Sequence, residues 1–151
     1  MFKKYRAGFD IWGLLLFLLV MIPNFIWFVF PAPNDVLRAD SVTPIIDVIG
    51  SVAQAAFIAA MCLLKRKDAE NIRFSKLIIV SLAMVIVYFA GWILYYNGIA
   101  DPLVIVLLTI PPCVAFVVYT IDRKNMIAAA LAGIFTVCHI IYGFVNFILI
   151  R

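Results

Sequence analysis

The chain has 151 residues, of which 67% are hydrophobic and 13% are charged, and its formal net charge is +4. Soluble domains are about half apolar and about one quarter charged, so this composition excludes an ordinary soluble protein and is typical of a membrane protein. The apolar residues fall into five long segments joined by short polar breaks. The sequence therefore predicts a single membrane domain over residues 1–151.

Each apolar segment is predicted to be a transmembrane helix, because each has about the 20 residues that a helix needs to cross a bilayer. The strands of a barrel would have about 10 residues and would alternate apolar with polar positions, as LLLFLLVMI and LIIVSLAMVIVYFA do not. The fold class is therefore an all-α bundle of five transmembrane helices. Their predicted ranges are 11–30, 44–64, 76–96, 102–121 and 126–150. The expected N-cap residues are Thr43, Asp101 and Asn125.

The positions of Lys and Arg predict the orientation of the bundle, since cytoplasmic loops carry an excess of both. The amino-terminal residues, the segment 65–76 and the turn 123–124 together hold ten of the twelve basic residues. Only Arg38 and Arg151 fall on the other side. We expect a cytoplasmic amino terminus and an external carboxyl terminus. This topology explains the positive charge, and no nucleic-acid partner is expected because such a partner would require a basic face on a soluble fold.

Prolines inside two of the spans predict kinks, at Pro23 in the first helix and at Pro111 and Pro112 in the fourth. A kink frees backbone carbonyls, which either are satisfied by neighbouring helices or line a cavity. Tryptophans near the predicted helix ends are interpreted as interfacial anchors in preference to ligand contacts. They are Trp12, Trp27 and Trp92.

Polar residues follow one face of two of the predicted helices. At about 100° per residue, His139, the only histidine, shares a face of the fifth helix with Tyr142 and Asn146. Asp47 and Gln54 share a face of the second helix in the same way. An ionisable side chain within a span costs a few kcal/mol unless it is paired or hydrated, so these faces should point into the bundle.

We therefore predict an outward-facing polar cleft with its floor near Pro111, as a site for ligand binding or a transport-associated role. The expected lining residues are Asn24, Asp47, Gln54, Tyr95, His139, Tyr142 and Asn146. Two simpler interpretations stay open. Asp47 lies in the first turn of its helix, where the helix dipole and interfacial water stabilise a carboxylate. His139 is then a packed core residue that bonds to Gln54 or to a freed carbonyl, and is not solvent-accessible.

Enzyme signatures are absent from the sequence, which has no H-E-x-x-H, no G-x-S-x-G and no His, Cys and carboxylate cluster at metal-ligand spacing. We expect neither an enzyme nor a cofactor nor a metal site. The alternative to a ligand-binding protein is a non-transporting interaction protein, either a regulatory subunit or an immunity-type protein, whose polar faces pack against each other. The expected partners are the lipid bilayer, a small-molecule ligand, and a second copy or another membrane protein.

Four stretches of the chain carry a resemblance to known proteins. KKYRAGFDIWG, FPAPND, TIPPC and IDRKNM look like stretches in a family of small multipass bacterial membrane proteins with no assigned function. The resemblance extends over essentially the whole chain. It implies location in a bacterial cytoplasmic membrane, and it implies no particular ligand or reaction.

Overall fold

Five long helices dominate the computed structural model, which describes residues 4–67 and 73–150. They are α1 (Ile11–Val29), α2 (Pro44–Leu63), α3 (Lys76–Tyr96), α4 (Pro102–Asp122) and α5 (Met126–Phe144), and a π-helical turn at Val145–Leu149 extends α5. All five are long and apolar enough to cross a membrane. The predicted helix ranges are confirmed to within one residue when the π-helical turn is counted with α5.

Two short strands that the sequence did not predict join the amino-terminal segment to the end of α2. Strand β1 (Tyr5–Ala7) pairs antiparallel with β2 (Leu64–Arg66). Beyond the strands, the Gly8 N–H donates to the carbonyl of Leu63, and the Asp10 N–H donates to the carbonyl of Cys62. The last carbonyls of a helix lack partners within the helix, and this pairing satisfies two of them at the end of α2.

A buried polar cluster closes the same end of the bundle, here named the Asp10 end. Asp10 is 4% exposed; its carboxylate accepts from the N–H groups of Trp12 and Gly13 and contacts Arg123 Nε at 3.3 Å. Asn125 is 3% exposed and donates to the carbonyls of both Ala60 and Leu64. The amino-terminal segment, the end of α2 and the turn between α4 and α5 are thereby held together.

All three expected residues occupy the N-cap positions of their helices, and two of them cap the helix with the side chain. Asp101 accepts from the Val104 N–H at 3.0 Å, and Asn125 accepts from the Ala128 N–H at 3.1 Å. The side chain of Thr43 makes no capping bond. Its hydroxyl donates to the carboxylate of Asp47 instead.

Close contacts between helices centre on α4, the most buried of the five. A Cβ added at Gly91 of α3 would lie 2.9 Å from Leu107 Cβ, and one added at Gly143 of α5 would lie 2.8 Å from Thr109 Oγ1. Both glycines therefore let a neighbouring helix approach α4 more closely than a larger residue allows. The chain remains helical through Pro23 in α1 and through Pro111 and Pro112 in α4.

Candidate functional site

A cavity of about 200 Å³, here named the central cavity, lies among all five helices toward the end opposite Asp10. That end carries the segment 30–43 and is named the Asp35 end. The polar residues of the cavity wall include four of the predicted site residues: Asn24, Gln54, His139 and Tyr142. The volume is below the roughly 300–1,000 Å³ of sites for drug-sized molecules, so the space suits a ligand of few atoms.

Three of these side chains have no hydrogen-bond partner within residues 4–67 and 73–150: the carboxamide of Gln54, the imidazole of His139 and the hydroxyl of Tyr142. The imidazole stacks on the ring of Phe135, with the ring centres 5.0 Å apart. On its other side lies the ring of Tyr142, at 6.5 Å and nearly parallel. Phe135 lies four residues before His139 and Tyr142 lies three residues after it, so the three side chains are neighbours on one face of α5. The expected hydrogen bond between His139 and Gln54 is not formed.

A second depression, here named the Asp47 groove, lies between α2 and α5 and has a volume of about 230 Å³. Asp47 and Ser51 line this groove and not the central cavity. Four residues line both spaces, and we name them the shared wall: Gln54, Phe135, His139 and Tyr142. The polar faces of α2 and α5 therefore border two voids and make no direct bond to each other; Asn146 and Asp47 are linked only through the hydroxyl of Thr43.

Aromatic residues form much of the remaining wall of the central cavity. Trp92 is 5% exposed, and its indole N–H is buried without a hydrogen-bond partner among the described residues. Trp27 also lines the cavity, whereas Trp12 is 50% exposed on the surface. The interpretation of the tryptophans as interfacial anchors is therefore wrong for Trp92 and incomplete for Trp27. Position near a helix end gave no sign that either ring faces inward.

Asn24 lines the central cavity as predicted, and its orientation is set by two hydrogen bonds. Its amide group donates to the hydroxyl of Tyr88 at 2.7 Å and to the carbonyl of Val20 at 3.0 Å. The bond to Tyr88 connects α1 to α3 across the cavity wall. The floor was predicted near Pro111, and of the α4 proline pair the neighbouring Pro112 lines the cavity, whereas Pro111 is buried outside the lining.

The segment between α1 and α2 folds back over the cavity, and Leu37 forms part of its lining. A cluster named here the Asp35 latch holds this segment in place. Oδ1 of Asp35 accepts from Trp27 Nε1 and from the Tyr95 hydroxyl, each at 2.8 Å. The Leu37 N–H donates to the same hydroxyl at 3.1 Å, and Arg38 Nε contacts Asp35 Oδ2 at 2.7 Å. The guanidinium also lies 4.9 Å from the centre of the Trp27 ring.

The electrostatics of the latch favour the charged carboxylate. Burial raises the pKa of Asp35. The hydrogen bonds from Trp27, Tyr95 and Arg38 and the charge of Arg38 together lower it by more than burial raises it, so the pKa lies below the ordinary value. Asp35 therefore carries its charge at neutral pH and holds its three partners in that state.

The seven predicted site residues thus do not line one cleft. Asp47 lies in the neighbouring groove, Tyr95 is fully buried in the Asp35 latch, and Asn146 lines neither space. Asn146 accepts from the Val42 N–H at 2.7 Å and donates to Thr43 Oγ1 at 2.8 Å. Tyr95 therefore connects the covering segment to α3, and Asn146 connects it to the end of α5. Helical periodicity could not predict these contacts, because their partners lie outside the helices.

Comparison with protein-family models, with curated proteins and with solved structures finds no match to this chain. In the part of the chain that the structure describes, no three His, Cys, Asp or Glu side chains come together as a metal-binding group. The features of this chain that bear on function are therefore the central cavity, the Asp47 groove and the Asp35 latch.

Proposed function

We propose that this protein is a membrane-embedded binding protein, associated with transport, that takes a small ligand into the central cavity. The observation that carries the proposal is the set of unpartnered polar groups on Gln54, His139 and Tyr142. These side chains are partly buried and border the cavity, so their hydrogen-bonding groups are available to a ligand. Gln54 makes no direct hydrogen bond to His139 or Tyr142, as the closed contact of an interaction protein would require.

The lining favours a ligand with an apolar or aromatic body. Within residues 4–67 and 73–150 no Lys, Arg, Asp or Glu lines the central cavity, so a strongly charged ligand would find no counter-ion among them. Half of the lining residues carry aromatic rings, among them Phe17, Trp27, Tyr88, Trp92, Phe116 and Phe135. Small-molecule sites combine such walls with a few polar groups that fix orientation. The proposed ligand is therefore small, largely apolar and equipped with one or two hydrogen-bonding groups.

The proposed location is a bacterial cytoplasmic membrane, with the Asp10 end in the cytoplasm and the Asp35 end outside. The distribution of basic residues supports this orientation, because nearly all described Lys and Arg residues lie toward the Asp10 end and Arg38 lies at the other. In this orientation the ligand would arrive from outside the cell. The segment 30–43 would have to move to admit it, since Leu37 covers the cavity.

Cysteine accessibility tests whether the shared wall is reached from outside. The native cysteines Cys62, Cys113 and Cys138 are all buried, so they provide a slow background. We expect a small membrane-impermeant methanethiosulfonate to modify Gln54→Cys and Tyr142→Cys far faster than the matched control Ala53→Cys, because Ala53 is 6% exposed and packed beside Gln54. Equal, slow modification at all three positions would show that the wall is sealed and would contradict the proposal.

A further inference from the structure

The Asp47 groove holds a carboxylate that the protein itself leaves without a counter-ion. One oxygen of Asp47 accepts from the Thr43 hydroxyl at 3.0 Å. Among the described residues no Lys, Arg or His forms an ion pair with Asp47, and no described Lys or Arg lines the groove, although the imidazole of His139 does. Arg38, which lies in the segment before α2, is bound to Asp35 and to the carbonyl of Trp27. Asp47 lies in the first turn of α2, where the helix dipole favours the charged carboxylate, and its side chain is partly exposed at the groove.

The other groups around this carboxylate are suited to a cation that carries N–H donors. Ser51, the side-chain amide oxygen of Gln54 and the hydroxyl of Tyr142 offer oxygen acceptors, and the last two have no partner in the described chain. The rings of Phe135, His139 and Tyr142 stand in a near-parallel stack beside them. The faces of aromatic rings attract ammonium groups, most strongly where water is excluded.

We propose that the Asp47 groove is a second binding site, for a small organic ammonium ion, with the Asp47 carboxylate as counter-ion and Tyr142 as the aromatic face. The volume of about 230 Å³ admits a single ring or a short alkyl chain beside the charged nitrogen. A metal ion fits less well, because the groove supplies one carboxylate and the described residues form no cluster of metal ligands. The site does not require that the central cavity be occupied, although the two spaces have the shared wall in common.

Binding of benzylammonium to the full chain in nanodiscs of zwitterionic lipid tests this site, with benzyl alcohol as a neutral compound of nearly the same shape. We expect saturable binding of benzylammonium and much weaker binding of the alcohol, measured by titration calorimetry. Asp47→Asn should weaken benzylammonium binding by at least about tenfold, as expected for loss of a charge-assisted hydrogen bond. The matched control is Asp40→Asn, which removes an exposed carboxylate from the same end of the molecule and should leave binding unchanged.

A second variant guards against misfolding of Asp47→Asn. Ser51 is exposed at the groove and does not line the central cavity, so Ser51→Phe should block the groove while keeping the carboxylate. Ser51→Phe should abolish benzylammonium binding. In the double variant Ser51→Phe, Tyr142→Cys, the thiol reagent should still modify the introduced cysteine through the central cavity, which Tyr142 also lines. Equal binding of the amine and the alcohol would overturn the proposal, as would binding that survives both variants or falls equally in Asp40→Asn.

Discussion

The hydroxyl of Tyr95 lies 2.8 Å from Oδ1 of Asp35 and donates a hydrogen bond to it. This contact connects α3 to the segment that covers the central cavity, and the same hydroxyl accepts from the Leu37 N–H. One tyrosine therefore holds both the carboxylate of the latch and the backbone of a residue that lines the cavity. The position of the covering segment depends on this pair.

Replacing the carboxylate tests the latch. Because the pKa of Asp35 is lowered in the folded protein, its charge contributes stability that is fully present above the ordinary carboxyl pKa and is lost as pH falls through the folded-state pKa. We expect Asp35→Asn to lower the free energy of unfolding by about 1–2 kcal/mol at neutral pH. Thermal unfolding of both proteins from pH 7 downward measures the difference, which should shrink below about pH 4.

The same substitution should loosen the cover of the cavity. In the Asp35→Asn background, Tyr142→Cys should react faster with the impermeant thiol reagent than in the wild-type background, because Leu37 is held less firmly. Asp40→Asn, at an exposed aspartate of the same segment, should change neither stability nor reactivity. A difference in stability that stayed constant across the acidic range would contradict the role of the Asp35 charge.

The sequence predicted the five helices well because each apolar run is ended by unambiguous polar or proline residues, such as Thr43-Pro44 and Asp101-Pro102. It did not predict the pairing of β1 with β2, since three-residue strands in a basic segment have no hydropathy pattern. It also gave no indication of the Asp35 latch. FPAPND resembles an exposed loop, and nothing local distinguishes Asp35 from Asp40.

The candidate site was predicted only in part, because the sequence pattern reports on the helices and not on the segment that covers them. Helical periodicity correctly placed His139 and Tyr142 on one face and Gln54 opposite them, because both helices are regular there. The periodicity does not show which polar residues face a void and which face the covering segment. Asn146 shares the predicted face of α5, and Tyr95 is one of the expected lining residues, but both bond to residues 35–43, whose path is set by tertiary contacts.

The contact of α3 with α4 can be tested at Gly91. Gly91→Ala would place a methyl group 2.9 Å from Leu107 Cβ and 3.3 Å from the Leu107 backbone carbon, so the helices would have to separate. We expect a loss of about 1–3 kcal/mol in the free energy of unfolding, as for other overpacked interiors.

Gly133→Ala is the matched control for Gly91→Ala, because a Cβ at Gly133 would meet nothing within 4 Å. This substitution should stabilise α5 by about 0.5–1 kcal/mol, since alanine favours a helix over glycine. The two variants should therefore change the unfolding temperature in opposite directions. Equal effects would show that helix propensity, and not close packing, dominates at Gly91.

The closure of the Asp10 end depends on Asn125. Asn125→Leu would remove the side-chain donor to the carbonyls of Ala60 and Leu64, of which Ala60 keeps the Leu64 N–H, and would remove the cap of α5. We expect a cost of about 2–4 kcal/mol in the free energy of unfolding. Asn97→Leu, at an exposed asparagine that bonds within its own helix, should stay within about 0.5 kcal/mol of the wild type. Comparable losses in the two variants would contradict a special role for Asn125.

Native mass spectrometry of the protein, released from nanodiscs made directly from its membrane, tests most directly whether the shared wall binds a ligand. We expect one small non-lipid adduct per chain. The abundance of this adduct should be strongly reduced in Gln54→Leu and in His139→Leu. The adduct should be retained in Thr136→Val, a polar position of α5 whose hydroxyl bonds to Ala132 and lines neither space. A wild-type protein that carries no such adduct, or an adduct equally abundant in all four proteins, would contradict the account.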